Sequence, residues 1–218
     1  MKALTVYINE KLVLNKNTFK KPEYKYFPET KEELQNILYK LLKERKDNNV
    51  IDLNDIDISN VTDMSYLFQT VNLSQKIINI DVSNWNMSKV ENIDEMFFRC
   101  ENLESIGDLS SWNVSNVNTM YETFLFCQNL KSIGNLFRWN VSKVTNMESM
   151  FSHCENLKSV GDLSKWNVSK VEDMEGMFEH CYNLKNVGNL NKWNVKESTN
   201  MYDMFLFSLI NIPTWYKE

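Results

Sequence analysis

Apolar residues recur at a fixed interval of 27 positions over most of this 218-residue chain. Columns of Trp-Asn pairs and of Leu, Ile or Val, Gly, Met, Phe and Cys all keep this interval. The most distinctive columns are Trp85, Trp112, Trp139, Trp166 and Trp193, then Phe97, Phe124, Phe151, Phe178 and Phe205, and then Cys100, Cys127, Cys154 and Cys181. One interval shared by so many columns predicts a stack of repeated units, each of which buries its apolar face against its neighbours.

The pattern within one unit predicts a helix. Residues 171–181 read V-x-x-M-x-x-x-F-x-x-C, a spacing that places the four apolar side chains on one face of a helix of about three turns. Ser88 with Glu91, and Ser169 with Glu172, have the spacing of capping boxes at a helix start. The segment after each Cys is apolar and ends at Gly, and a second extended piece leads to the next Trp. Each unit is therefore predicted to be a short strand, a loop and a short helix.

The two ends of the chain depart from this pattern. A looser copy of the unit, containing Val61, Met64 and Phe68, stands 29 residues before the first regular copy. The segment from Leu4 to Leu14 suggests a small hairpin, and Lys31–Lys46 predicts an amphipathic helix that covers the first repeat. We expect residues 1–50 to form a non-repeating α/β N-terminal cap. Residues 51–218 are expected to form about six units of 27–29 residues, ending in a C-terminal cap.

The repeated string resembles a known family. The sequence F-x-x-C-x-N-L-x-S-[IV]-G-[DN]-L-x-x-W-N-V-S-x-V-x-x-M-x-x-M-F, over roughly residues 55–208, is similar to the BspA-like leucine-rich repeats of bacterial surface and lipoprotein-associated proteins. The resemblance implies an α/β repeat solenoid of the leucine-rich-repeat type, and a role in protein binding or adhesion at the cell surface. No signal peptide or lipid-attachment Cys is visible near the start, so the sequence itself predicts a cytoplasmic location.

Composition narrows the function classes. A net charge of −5 argues against a nucleic-acid binder, and no apolar run approaches the roughly 18 residues of a membrane span. With 5 Gly, 3 Pro and 2 His, the chain has little material for phosphate loops or histidine-based active sites. We therefore expect a monomer with no catalytic residues, no metal and no cofactor.

The Cys and His residues have a metal-binding interpretation and a structural one. An interval of 27 matches no metal-ligand spacing, so the four Cys are expected to be buried, reduced and unbridged, with metal or redox roles as the alternatives. His153 and His180 stand on neighbouring units and could pair on a metal, but two ligands are too few. We expect both at a solvent-exposed helix end, where a cation suits the dipole.

The Trp and Asn columns are also interpreted as structural. The Trp residues could stack on carbohydrate or peptide, but a periodic aromatic column is more often core. The Asn residues are expected to satisfy backbone groups at the bends. They form two columns: Asn86, Asn113, Asn140, Asn167 and Asn194, and Asn102, Asn129, Asn156 and Asn183.

The variable positions separate by charge. The predicted partner-binding residues are the basic ones beside the strand and before the Trp, namely Lys131, Lys158 and Lys185, with Arg138, Lys165 and Lys192. The outer helix positions are acidic and comprise Asp94, Glu95, Glu122, Glu148, Glu172, Glu175 and Asp203. An acidic protein partner would relieve the repulsion between aligned lysines, whereas a merely solvated surface remains the alternative.

Three hypotheses for function follow. The first is a non-enzymatic protein–protein interaction module whose partner the sequence does not identify. The second is an adhesin-like surface protein that binds host or matrix proteins and whose export signal is not in this chain. The third, an enzyme, requires a cleft with a base and a nucleophile, and turnover of a hydrolase substrate would establish it.

Overall fold

The computed structural model describes residues 23–70 and 77–217. Its regular elements are short. Helix α1 spans Lys31–Glu44, strand β1 Ile51–Asp52, helix α2 Leu67–Thr70 and strand β2 Ile80–Asp81. Four 3-10 helices follow, at Met87–Lys89, Leu109–Ser111, Leu136–Arg138 and Leu190–Lys192. The predicted hairpin between Leu4 and Leu14 lies outside the described residues.

Helix α1 confirms the amphipathic helix predicted over Lys31–Lys46. Thr30 caps it, since its side chain accepts a hydrogen bond from the backbone N–H of Glu33. Its buried face is made of leucines at helical spacing, and these are Leu34, Leu38, Leu41 and Leu42. The Lys31 ammonium donates to Asp63 and to the Ser65 hydroxyl. The Arg45 guanidinium forms two bonds with the Asp55 carboxylate, so both ends of α1 are tied to the first layer.

The remainder of the described chain is a stack of parallel layers. β1 pairs in parallel with β2, with Ile51 opposite Ile80. One row of isolated parallel bridges joins successive layers 27 or 29 residues apart, through Asp63, Asn92, Thr119, Asn146, Asp173 and Asn200. A second row passes through Asn79, Ser105 and Ser132, and again through Ser159 and Asn186. The sequence interval is thus the chain length of one layer.

The helix predicted over Val171–Cys181 is wrong, because this segment is a series of tight turns. Within it the N–H groups of Met177, Glu179 and Cys181 donate to carbonyls three residues back. The backbone is left-handed at Gly176 (φ 58°) and at His180 (φ 54°). Left-handed residues four apart are incompatible with a right-handed α-helix. We call this segment and its equivalents in the other layers the turn ribbons.

The turn ribbons are held mainly by their neighbours. The alternate N–H groups that are not used within the ribbon donate to the next layer, as Gly176 does to Tyr202 at 2.9 Å and Phe178 to Met204 at 2.9 Å. An α-helix would direct all of these donors within itself. A ribbon therefore uses half its donors locally and half across the stack, while its apolar residues keep the spacing that resembles a helix face.

The predicted capping boxes are also wrong. The backbone N–H groups of Ser88 and Ser169 donate to the side chains of Asn86 and Asn167. The N–H of Glu172 donates to the carbonyl of Thr145 one layer below. The segment that leads into each turn ribbon is therefore fixed by the Asn of the Trp-Asn pair. Its side chain accepts a backbone N–H two residues on and forms a local turn of the Asx type.

The core consists of continuous columns. Six Phe rings stack from Phe68 to Phe205, with centroid separations of 4.9–5.9 Å. The predicted Trp column is confirmed from Trp112 to Trp193, where neighbouring rings stack at 6.2–6.3 Å. The ring of Trp85 stacks on Phe68 instead. Each of these Trp indoles donates to a carbonyl of the layer below, so the buried N–H groups are satisfied.

The structure confirms the structural interpretation for seven of the nine asparagines, whereas Asn102 and Asn194 form no such bond in the described chain. The side chains of Asn86, Asn113, Asn140 and Asn167 accept from backbone N–H groups two residues on. Asn129, Asn156 and Asn183 donate to carbonyls of the layer below. The bends thus obtain their hydrogen bonds from side chains, as buried or crowded backbone requires.

The stacked Phe column sets the stability of the middle layers. We expect Phe124→Ala or Phe151→Ala to lower the free energy of unfolding by about 3–5 kcal/mol, because each ring is fully buried between two others. Phe27→Ala, where the side chain is 63% exposed, is the control and should change it by about 0.5 kcal/mol or less. Thermal and urea unfolding measure both, and equal small effects would contradict a buried column.

The four Cys are free and buried, as predicted, and each of the last three donates its thiol to a carbonyl of the layer below. Burial raises the pKa of Cys127 and of Cys181 to about 12. The reactive thiolate is therefore disfavoured at neutral pH. We expect a thiol reagent at pH 8 to label the native protein at least about a hundredfold more slowly than the urea-unfolded chain. Rapid labelling without unfolding would contradict the assignment.

Candidate partner-binding surface

The six predicted basic residues form two columns on the outside of the stack. Lys131, Lys158 and Lys185, the first basic column, each follow a buried leucine and precede a residue of the second bridge row. Arg138, Lys165 and Lys192, the second basic column, directly precede the stacked tryptophans. All six are exposed. The two columns flank the bends at Gly134, Gly161 and Gly188.

The positive charge of the first basic column is neutralised only at Lys131, where a carboxylate lies beside it. Lys131 pairs with the carboxylate of Glu104, which occupies the same column one layer below. For Lys158 and Lys185, no ion pair is formed with any residue in the described part of the chain. Two uncompensated ammonium groups in adjacent layers thus face solvent.

The second basic column lies beside aromatic and acidic groups. The Lys165 ammonium lies 4.7 Å from the centre of the Phe137 ring, a cation–π contact between layers. The backbone and side chain of Ser164 lower the pKa of the exposed Asp162, and Lys192 and Lys165 lower it further. A shallow hollow of about 250 Å³ opens beside Arg138 and is lined by Ser110, Ser111, Asn135 and Phe137. This column combines positive charge with the half-buried ring of Phe137.

The turn ribbons carry the acidic residues. Burial raises the pKa of Glu95, and the nearby Glu122 and Asp94 raise it further. Burial also raises the pKa of Glu148, with Asp173 and Glu175 adding to the effect. Glu95 and Glu148 are therefore harder to ionise than free carboxyl groups, because they are partly buried and lie near other carboxylates. Ionising them costs folding free energy.

The sequence did not predict a column of flat side chains beside the core. Phe126, His153, His180 and Phe207 stack with centroid separations of 4.2–4.8 Å, and the Arg99 guanidinium lies 5.5 Å from the Phe126 ring. All five have a left-handed backbone. The signal available in the sequence was their shared position in the 27-residue interval, but their different residue types concealed it.

The prediction for the two histidines is therefore wrong. They lie on turn ribbons rather than at a helix end, and their rings stack on each other at 4.2 Å. Burial lowers the pKa of His153, and the neighbouring His180 lowers it further. The stack therefore favours the neutral imidazole of His153 over the cation that a helix end would stabilise.

Two further observations concern metal ions and membranes. Within residues 23–70 and 77–217, no group of three or more His, Cys, Asp or Glu side chains is arranged to hold a metal ion. In the same residues no helix combines the length and the apolar character needed to cross a membrane.

The acidic side of the stack gives a testable pH dependence. We expect Glu95→Gln to raise the free energy of unfolding at pH 7, because it removes a charge from a side chain that is only 8% exposed and lies close to Asp94 and Glu122. Since folding raises the pKa of Glu95, its cost is present above the folded-state pKa and disappears below the unfolded-state value of about 4.3.

The stability difference between Glu95→Gln and the parent should therefore shrink as the pH falls from 7 to about 4 in urea-unfolding titrations. Glu101→Gln, on an exposed side chain, is the matched control and should show little effect. A destabilisation by Glu95→Gln that does not change with pH would contradict the assignment.

One of the comparisons with known proteins identifies a family. Searches among curated proteins and among solved structures found no match. Two overlapping matches, over residues 36–159 and 125–208, are to one family model, and together they run from within α1 to the last turn ribbon. The chain belongs to the family described as Mycoplasma protein of unknown function, DUF285.

Proposed function

We propose that this chain is an α/β repeat solenoid of the BspA-like leucine-rich type, and that it is a non-enzymatic protein–protein interaction module. The family description assigns no activity, so the proposal rests on the layered geometry and its surface. Parallel layers joined at a constant interval support the solenoid assignment. Such stacks offer extended surfaces on which exposed residues of successive layers line up.

The observation that supports a binding role best is the pair of exposed basic columns. Aligned residues of adjacent layers are about 4.8 Å apart, a distance at which two ammonium groups repel by roughly 0.9 kcal/mol even in water. Among the described residues only Lys131 of the six forms an ion pair. A partner with acidic side chains would offset this repulsion and gain the accessible part of the half-buried Phe137 ring as an apolar contact.

The candidate nucleophiles favour binding over catalysis. The Cys thiols are buried, and burial raises their pKa well away from the range of a reactive thiolate. The two histidines stack on aromatic rings and on each other. A general base would need to lie within hydrogen-bond distance of a nucleophile, and neither histidine forms such a contact with a thiol in the described chain.

The test begins with a pull-down that uses the intact protein as bait at low and at high salt. A partner of the basic columns should be retained at low salt and released at high salt. With this partner purified, Lys158→Glu together with Lys165→Glu should slow association by about tenfold or more at low salt, with little change in the dissociation rate. Surface plasmon resonance measures both rates.

The matched control reverses charge on the other side of the stack. Glu148→Lys with Glu175→Lys should leave association unchanged or make it faster. If these changes abolish binding and the changes to Lys158 and Lys165 do not, the binding surface lies on the turn ribbons and the proposal is wrong.

A further inference from the structure

The last layer leaves a row of backbone donors without acceptors. In the layer below, the N–H groups of four alternate residues donate upward at 2.8–2.9 Å, and these are Met174, Gly176, Phe178 and His180. Their equivalents one interval later are Met201, Asp203, Phe205 and Phe207. None of these four N–H groups has an acceptor among residues 23–70 and 77–217. We call this row the open edge.

The open edge offers four N–H donors, whereas the carbonyls on either side of them are already engaged from Asn200 to Leu206. The carbonyls of Asn200, Tyr202, Met204 and Leu206 already accept from the layer below. Those of Met201, Asp203 and Phe205 accept the turn bonds within the ribbon. A binding partner must therefore supply backbone carbonyls at alternate residues, because a second row of donors would find nothing to bind.

The surroundings of the open edge are apolar and uncovered. Tyr202 is 69% exposed, Phe207 60% and Ile212 57%. They line a groove of about 340 Å³ together with Asp203, Phe205, Leu206 and Tyr216. The hydroxyl of Ser208, which replaces the Cys of earlier layers, is buried and has no hydrogen-bond partner in the described chain.

The C-terminal segment covers only part of this end. Trp215 stacks on Trp193 at 6.3 Å and donates its indole N–H to the Leu190 carbonyl, as a further member of the Trp column would. The Tyr216 ring meets Phe205 edge-on at 5.1 Å. These contacts close the two aromatic core columns and leave the open edge beside them uncovered.

A second copy of this chain does not fit the open edge. Two open edges face to face would set donors against donors. The opposite end of the stack, where a layer presents its carbonyl side, is covered by α1, through its buried leucines and through Lys31 on Asp63 and Ser65. The two ends of the described stack therefore do not pair with each other between copies.

We propose that the open edge binds a turn-ribbon segment of another protein that carries this type of repeat, which would add one more layer to the stack. Such a segment would continue the pattern already present, since each described layer contact from Ile93 onward has the same four alternate donors, the same carbonyl row and the same Phe column. Binding here is separate from binding at the basic columns and does not depend on it.

The test uses a synthetic peptide with the sequence of residues 167–181 and Cys181 replaced by Ser, because this segment forms such a ribbon within the stack. Amide hydrogen exchange is measured by NMR on the intact protein. Without peptide, the amides of Met201, Asp203, Phe205 and Phe207 should exchange at least about a hundredfold faster than those of Met174, Gly176, Phe178 and His180. Saturating peptide should slow the four edge amides by about tenfold or more.

Two variants and a scrambled peptide complete the design. Phe207→Asp with Ile212→Asp should abolish the peptide effect, and Asp tolerates the left-handed backbone at position 207. Tyr39→Asp, on an exposed face of α1, is the control and should leave the peptide effect unchanged. The scrambled peptide should leave the edge amides fast.

Several results would overturn the proposal. Edge amides that stay fast with saturating peptide, or that slow equally with the scrambled peptide, exclude a ribbon site. Protection that rises with protein concentration alone identifies a second copy as the occupant. Loss of the peptide effect in Lys158→Glu with Lys165→Glu would show that the open edge is not a separate site. If the peptide binds but no salt-dependent partner is found, the proposal for the open edge is supported and the proposal for the basic columns is not.

Discussion

The hydrogen bonds between layers are the constraint on which the whole structure depends. A turn ribbon forms only half of its backbone bonds within itself, so the bonds to neighbouring layers supply most of what holds it in place. The acceptors must stand opposite the donors in successive layers, and from Asn92 to Asn200 the layers meet this condition with the same chain length, whereas the first layers pair 29 residues apart. The constant interval of 27 residues, the aromatic columns and the exposed charged columns all follow from this requirement.

Glycine shows how strict the spacing is. Gly134 has φ +85°, and a Cβ built there would lie 1.8 Å from the Asp108 carboxylate oxygen of the layer below. That oxygen is fixed, because it accepts the N–H of Ser110 in its own layer. The same meeting of glycine and Asp or Asn recurs at Gly161 and Gly188. A side chain at any of these positions would clash with the Asp or Asn side chain of the layer below, so each position requires glycine.

The sequence predicted what depends on the interval and failed where local backbone geometry decides. The buried Trp, Phe and Cys columns and helix α1 could be predicted, because burial and helical spacing are visible in residue types. The turn ribbons could not, since apolar positions at 0, 3, 7 and 10 fit a helix face and a series of left-handed turns equally well. Residue type also concealed the positive φ at His153 and His180, which are not glycine. The six basic residues are exposed as the pattern suggested, yet charge placement alone does not identify their use.

The central claim is that backbone donors of the ribbons bind across layers rather than along a helix, and scalar couplings through hydrogen bonds measure this directly. The amide nitrogen of Phe151 should couple to the carbonyl carbon of Met177, whose oxygen lies 3.0 Å away in the next layer. A helix would instead couple Phe151 to Met147, four residues back. Coupling between Phe151 and Met177 is the predicted result, and coupling between Phe151 and Met147 would contradict the account.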